Sequence, residues 1–281
     1  MFKKVLLAMD SSSAAQELFN CIPDLRLMGM AELVIVHAIS VEQLQGRRLD
    51  AYRDAFTRRM EDKIKALEQI GIAVKLLLPF GNPAEEIALT AEEEDVDLIF
   101  IGSIGENIIR EFLLGSTVTE VIRRSSRPIL IEKYITLGER TRLIPIFLQK
   151  WSTVLLPTDF SREAESVYSK FSAVADKIHR IIFLHVIDKA QGGKELSRQE
   201  EKALHGLQDW QEKFRRNGGN VDIKVSAGIP SQRINEIAET EGVTLIAMPT
   251  RGVGLVKLFM GRTADAVVRR SSAPVLLFKI D

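Results

Sequence analysis

Thiols are nearly missing from this chain, whose 281 residues hold one cysteine, Cys21. That excludes an intramolecular disulfide framework and a thiolate zinc cluster, and a reducing interior suits such a chain best. Net charge is missing as well, since Lys plus Arg and Asp plus Glu stand at 38 each. With no basic field, neither nucleic acid nor an acidic membrane surface is expected as a partner. Long apolar runs are also lacking. Nothing approaches the ~20 residues that cross a bilayer, and the run from Val5 to Met9 stops at Asp10, too short for the core of a signal peptide. The expected location is cytoplasmic. The phosphate-loop pattern Gly-x4-Gly-Lys-Ser/Thr does not occur either, which argues against a Walker-type ATPase.

Composition is otherwise that of a globular protein, 46% hydrophobic and 27% charged, and the length suits two domains of about 140 residues. Internal similarity bears this out. KVLLAMDSSSAA (Lys4 to Ala15) answers TVLLPTDFSREA (Thr153 to Ala164), which sets Asp10 opposite Asp159. LVIVHAI answers IIFLHVI, with His37 opposite His185, and the segments beginning at Gly81 and Gly228 match in the same way. RRSSRPILI answers RRSSAPVLL, with Arg123 opposite Arg269. The offset falls from 149 to 146 in single steps, as small loop deletions would produce. A repeat this long is a duplicated domain, because solenoid units run to ~20–50 residues.

Within each copy, short apolar runs alternate with stretches of helical period, the pattern of an α/β fold with a parallel sheet. Strands are expected near Lys3 to Met9, Leu33 to Ala38, Ala73 to Leu78, Leu98 to Ile101 and Pro128 to Glu132. In the second copy they fall near Thr153 to Leu156, Ile181 to Val186, Val221 to Ser226, Leu245 to Met248 and Pro274 to Phe278. Val118, Val121 and Ile122, repeated as Ala264, Val267 and Val268, have the spacing of one apolar helix face and read as core. The boundaries taken are 1–135 for the first domain, 136–150 for a connector and 151–281 for the second domain. Leu143, Ile144, Ile146, Phe147 and Leu148 make the connector too apolar for a free tether, so it is expected to pack on the domains.

The chemistry-bearing pattern follows the fourth strand of the first copy. Gly102 and Gly105, separated by two residues, are followed after nine more by Gly115, Ser116 and Thr117 at a predicted helix start. Glycines let backbone N–H groups approach an anion, and a helix N-terminus adds unpaired donors and a favourable dipole. The Ser116 and Thr117 hydroxyls can donate as well. Asp10 ends strand one at the same edge, where a carboxylate can accept from a base or a ribose hydroxyl. It can equally serve as a helix N-cap.

These residues resemble the universal stress protein family, whose motif is Gly, two residues, Gly, nine residues, Gly, then Ser or Thr. Each copy also has the family's apolar strand ending in Asp (Asp10, Asp159), a strand ending in His plus a small apolar residue (His37 and Ala38, His185 and Val186), and a Gly-x-Pro step (Gly81 and Pro83, Gly228 and Pro230). The chain looks like a tandem of two such domains. The resemblance implies two Rossmann-like domains of the adenine nucleotide alpha hydrolase-like kind. Each would be a five-stranded parallel sheet of order 3-2-1-4-5 with helices on both faces, and the two would pair through their last strands. It also implies ATP or AMP at the strand ends, with Mg2+ as an optional companion of ATP. Carried over, Ala8, Met9, Asp10 and Ala38 would hold the adenine and ribose end, while Ile101, Gly102, Gly105, Gly115, Ser116 and Thr117 would hold the phosphates.

The second copy departs from that motif. Pro249 replaces the first glycine and removes a donor, eight residues separate Gly252 from Gly261, and Arg262 stands where Ser is expected. The corresponding site would comprise Pro157, Thr158, Asp159, Val186, Gly252, Gly261, Arg262 and Thr263. A lost donor costs ~1–3 kcal/mol where its partner oxygen stays unpaired. Arg262, helped by Arg251 or Lys257, is either a charged phosphate ligand or a solvated arginine at a helix start. The expectation is a second site that binds more weakly or prefers fewer phosphates.

Other candidates are weaker. His37 and His185 read as hydrogen-bonded core or edge histidines, with no metal site expected. The run Glu92 to Asp95 closes a helix and reads as solvent-facing. No nucleophile with an attached base is legible, so no catalytic residue is assigned. A nucleotide-responsive stress or signalling protein is the favoured function. A slow ATPase or nucleotide hydrolase and a nucleotide-independent interaction module remain the alternatives. The fused pair already forms an internal dimer, and a further two-fold homodimer stays open.

Overall fold

A computed structural model describes residues 1–44, 46, 48–103, 114–137, 140–143, 149–252 and 260–279. The first copy supplies β1 (Lys4–Ala8), β2 (Glu32–Val36), β3 (Ala73–Leu77), β4 (Leu98–Gly102) and β5 (Ile129–Glu132). A hairpin of β6 (Tyr134–Leu137) and β7 (Arg140–Leu143) follows. The second copy supplies β8 (Thr153–Thr158), β9 (Arg180–Ile187), β10 (Val221–Ala227), β11 (Leu245–Pro249) and β12 (Val275–Phe278). Each copy forms a parallel sheet in the expected order, β3-β2-β1-β4-β5 and β10-β9-β8-β11-β12.

The two copies do pair through their last strands. β5 and β12 run antiparallel, with Leu130 opposite Leu276, and make one ten-stranded sheet. Each last strand would otherwise be an exposed edge with unpaired backbone groups, and pairing removes both edges together.

Alternation along the strands sends side chains to two faces. Val5 and Leu7 join one core, and Leu6 and Ala8 the other. The first face is covered by α1 (Ser13–Glu17), α2 (Ile22–Leu27) and α4 (Leu49–Gln69), and in the second copy by α7 (Arg162–Ser172) and α8 (Gly193–Arg216). The short α3 (Val41–Leu44) lies between β2 and α4. The opposite face carries α5 (Pro83–Glu93), α6 (Ser116–Arg124), α9 (Pro230–Thr240) and α10 (Arg262–Arg270). Val118, Val121 and Ile122 of α6 and Ala264, Val267 and Val268 of α10 are all core, as their spacing predicts. Both cores run unbroken across the β5–β12 seam, where Phe2 stacks on Phe278 at 6.3 Å.

The duplication extends to capping. Asp10 Oδ1 accepts from the Ser12 backbone N–H and Ser12 caps α1 by accepting from Ala15, while Asp159, Ser161 and Ala164 repeat the pattern before α7. Neither Asp is itself the N-cap; each orients the serine that is. The acidic run that closes α5 faces solvent at Glu92, Glu93 and Asp95, as expected, and Glu94 is half-buried. Glu94 binds both Lys4 and Lys75, and Glu92 binds Arg127, so these carboxylates tie the helix end to the sheet and to the turn before β5.

The connector enters the second domain through a buried polar knot. The Lys150 backbone N–H donates to Asp24 Oδ2 at 3.0 Å, and the Trp151 indole donates to the Asp24 carbonyl at 2.9 Å. Lys150 Nζ lies 2.8 Å from Glu132 Oε2, and neither side chain exposes more than 1% of its surface. Ile144, Ile146, Phe147 and Leu148, expected to pack on the domains, lie outside the described residues. Among those described, no helix is long and apolar enough to cross a membrane.

Candidate functional site

β1 and β4 are neighbours whose chains leave to opposite faces, β1 leading into α1 and β4 toward α6. A crevice opens at such a switch point, outside the carboxyl ends of the strands. Here it is a cleft of about 260 Å³. Of the ten residues expected at the first site, nine line it: Ala8, Met9 and Asp10 beyond β1, Ala38 beyond β2, Ile101 and Gly102 at the end of β4, and Gly115, Ser116 and Thr117 at the start of α6. Gly105, the tenth, lies outside the described residues.

Local bonding explains how these pieces are held. Ser103 N–H donates to the Glu132 carbonyl at 2.8 Å, and Gly115 N–H donates to the Ser103 carbonyl at 2.9 Å. The start of α6 is thereby tied to the ends of β4 and β5. Gly115 is the N-cap residue and has no side chain to cap α6, and it lines the cleft together with Ser116 and Thr117 of the first turn. His37 anchors the far side: its Nδ1 lies 3.1 Å from the Met9 carbonyl and its Nε2 3.1 Å from the Tyr52 hydroxyl, with Phe56 stacked 4.1 Å away. Burial lowers its pKa, so a neutral ring holds β1 to β2. His185 repeats the Nδ1 contact with the Thr158 carbonyl at 2.9 Å. Both histidines are positioning groups for the strand ends.

Sequence reasoning missed part of the lining. Ala15, Leu18, Pro83, Ile87 and Val118 form apolar walls; of these, periodicity marked Val118 only as core, and Pro83 was read only as part of the Gly-x-Pro step. Gln43 joins them from α3. Tyr134 also lines the cleft, although it belongs to β6 of the connector hairpin. A Cβ built on Gly102 would stand 2.4 Å from Tyr134 Oη and 2.6 Å from its Cε2. Glycine at this position therefore admits the tyrosine ring. No repeat or motif pointed to Tyr134, because it stands outside the duplicated segments.

In the second copy the corresponding place is closely packed. A Cβ on Gly252 would lie 2.1 Å from Asp159 Oδ2, so this carboxylate packs directly on the glycine. Phe160 has a positive φ of 57° and donates its N–H to Thr158 Oγ1 at 2.9 Å, while its ring packs on His185. Pro157 and Val186 are half-buried at the ends of β8 and β9. Gly261 is the buried N-cap residue of α10 and donates to the Thr250 carbonyl at 2.8 Å. Arg262 is exposed on the first turn, followed by half-buried Thr263. Lys257 lies outside the described residues. Among those described, no cluster of His, Cys, Asp and Glu could hold a metal ion.

Comparison with known proteins agrees with this architecture. The sequence profile of the universal stress protein family matches residues 1–133 and 150–279, leaving the hairpin and the rest of the connector between the two matches. A universal stress protein of Methanocaldococcus jannaschii is 30% identical over 155 residues, which cover 47% of this chain and 96% of that protein. One from Bacillus subtilis is 28% identical over 146 residues, 47% of this chain and 99% of its own. The crystal structure of a universal stress protein from Archaeoglobus fulgidus superimposes with a TM-score of 0.69 at 25% identity, covering 98% of this chain and 96% of that one. Single-domain relatives thus match half of the chain and a longer one matches nearly all of it. The chain belongs to the universal stress protein family, as a tandem of two of its domains joined in one sheet.

Proposed function

We propose that the first domain binds an adenine nucleotide, ATP or AMP, and that the chain is a cytoplasmic, nucleotide-responsive stress or signalling protein. One observation carries the reading: Asp10, Gly102, Gly115, Ser116 and Thr117, remote in sequence, line a single cleft at the strand ends beside the N-terminus of α6. The donor set suits a phosphate. Backbone N–H groups and two hydroxyls at a helix N-terminus stabilise negative charge. The apolar walls of Ala15, Leu18, Pro83 and Ile87 suit a base or a sugar face, and Asp10 offers acceptor oxygens to ribose hydroxyls or an exocyclic amine. Mg2+ would enter with the phosphates of ATP. In the second domain, Asp159 sets negative charge against Gly252, and Pro249 and Arg262 replace a glycine and a serine of the motif, which supports weaker nucleotide binding there.

A nucleotide shifts a protein only through different affinities for two of its states. The pairing of the two domains through β5 and β12, with the connector hairpin beside the cleft, is the element available for such a shift. Calorimetry with ATP, ADP and AMP on the full chain tests the reading. Saturable binding of at least one nucleotide supports it, and the absence of binding by all three overturns it.

A further inference from the structure

The Tyr134 hydroxyl makes no hydrogen bond, and its oxygen is buried. The ring reaches the cleft while the oxygen is enclosed beside Gly102. A buried polar group without a partner is costly, and native structures rarely keep one unless a ligand or water completes it. The surrounding bonds do not relieve it: Glu132, two residues earlier, is engaged with Lys150. Burial first, and then the Glu132 charge, raise the phenol pKa well above its ordinary value, so the group stays an O–H donor at neutral pH.

We propose that Tyr134, which lies just beyond the first stretch matched by the family, is a ligand-binding residue whose hydroxyl donates a hydrogen bond to a phosphate oxygen of the nucleotide bound in the first cleft. This rests on nucleotide binding in that cleft. Tyr134 lines the cleft with its hydroxyl against Gly102, the first glycine of the glycine-rich motif, and its ring packs on the core shared with α1 and α2. A phenolic O–H meeting an anionic oxygen is the stronger, charge-assisted kind of bond. The consequence is coupling. Tyr134 is also the first residue of β6, paired with Leu143 of β7, so a bond from its hydroxyl to the ligand ties the cleft to the hairpin between the two domains.

The test compares wild type with Tyr134→Phe, which keeps the ring against Gly102 and removes only the hydroxyl. Calorimetry is run with adenosine, AMP and ATP, and the thermal midpoint of the free protein is recorded alongside. The expected result is a roughly tenfold loss of affinity for AMP and ATP with unchanged adenosine binding. The free variant should melt no lower than wild type, since an unpaired hydroxyl has been removed. Amide exchange across residues 134–137 should slow on adding AMP to wild type and much less in the variant. Equal affinities of the two proteins for AMP and ATP would overturn the proposal while leaving nucleotide binding intact, as would an equal loss for adenosine. If wild type binds none of the three ligands, the underlying reading falls as well.

Discussion

Lys133 and Lys279 make the same bond in opposite directions across the seam between the domains. Lys133 Nζ donates to the Val268 carbonyl near the end of α10, and Lys279 Nζ donates to the Ile122 carbonyl near the end of α6. Each lysine immediately follows the last strand of its own domain and reaches the last helix of the other. A cation at a helix C-terminus meets both the unpaired carbonyls and the negative end of the dipole.

A pH dependence follows from their burial. Desolvation lowers both ammonium groups from 10.5 to about 8. Between these values the unfolded chain binds more protons than the folded one, so stability rises with pH from about 8 to 10.5 and the cost of burying the charge is fully present below 8. The urea midpoint of wild type should therefore climb across this window more steeply than that of the double variant Lys133→Met with Lys279→Met. Equal slopes would show that the two amines do not titrate as described.

The Lys150–Glu132 pair is a different case, because both partners are removed from water and joined at 2.8 Å. Lys150→Met leaves the Glu132 carboxylate buried without its cation, and about 3–5 kcal/mol of stability should be lost. Adding Glu132→Leu removes the stranded charge and should restore most of the loss. Urea unfolding of the single and double variants checks this, and a double variant no more stable than the single one would contradict it.

The two cradles should respond unequally to the smallest substitution. Gly102→Ala drives a Cβ into the Tyr134 ring and should cost about 1–3 kcal/mol, the usual penalty for overpacking. At Gly252 the obstructing atom is Oδ2 of Asp159, the far end of an exposed, flexible side chain whose Oδ1 accepts from the Ser161 N–H, where at Gly102 it is an aromatic ring. Gly252→Ala should cost less than about 1 kcal/mol, as the carboxylate swings aside. Thermal unfolding of both variants decides between this ranking and its reverse.

How much of this was legible in the sequence depends on what kind of signal each residue carried. The strand ends and the cradle were legible because glycine, Asp10 and the Gly-Ser-Thr step answer to backbone chemistry that few other residues can perform. The pseudo-symmetric sheet was legible from the duplication. The Lys133 and Lys279 bonds were present in the repeat too, as lysines 146 residues apart, but a lysine after a strand ordinarily means solvent. Tyr134 and Lys150 carried no such signal. Both stand outside the duplicated segments, with no second copy to compare, and their roles arise from contacts with Gly102 and Glu132 that only the folded chain brings about. The approach of the Asp159 carboxylate to Gly252 was equally hidden, since nothing in the motif says where that side chain lies.

The central claim is a nucleotide site in the first domain, and Gly115 tests it most directly. Its φ of −59° and ψ of 150° suit any residue, so Gly115→Val strains no backbone angle while placing a branched side chain at the cleft wall. Titration of the full-length wild type and of this variant with ATP and with AMP is the decisive measurement. The account predicts saturable binding to wild type and a loss of at least tenfold in the variant at unchanged thermal stability. Equal affinities in the two proteins, or no binding to wild type, would contradict it.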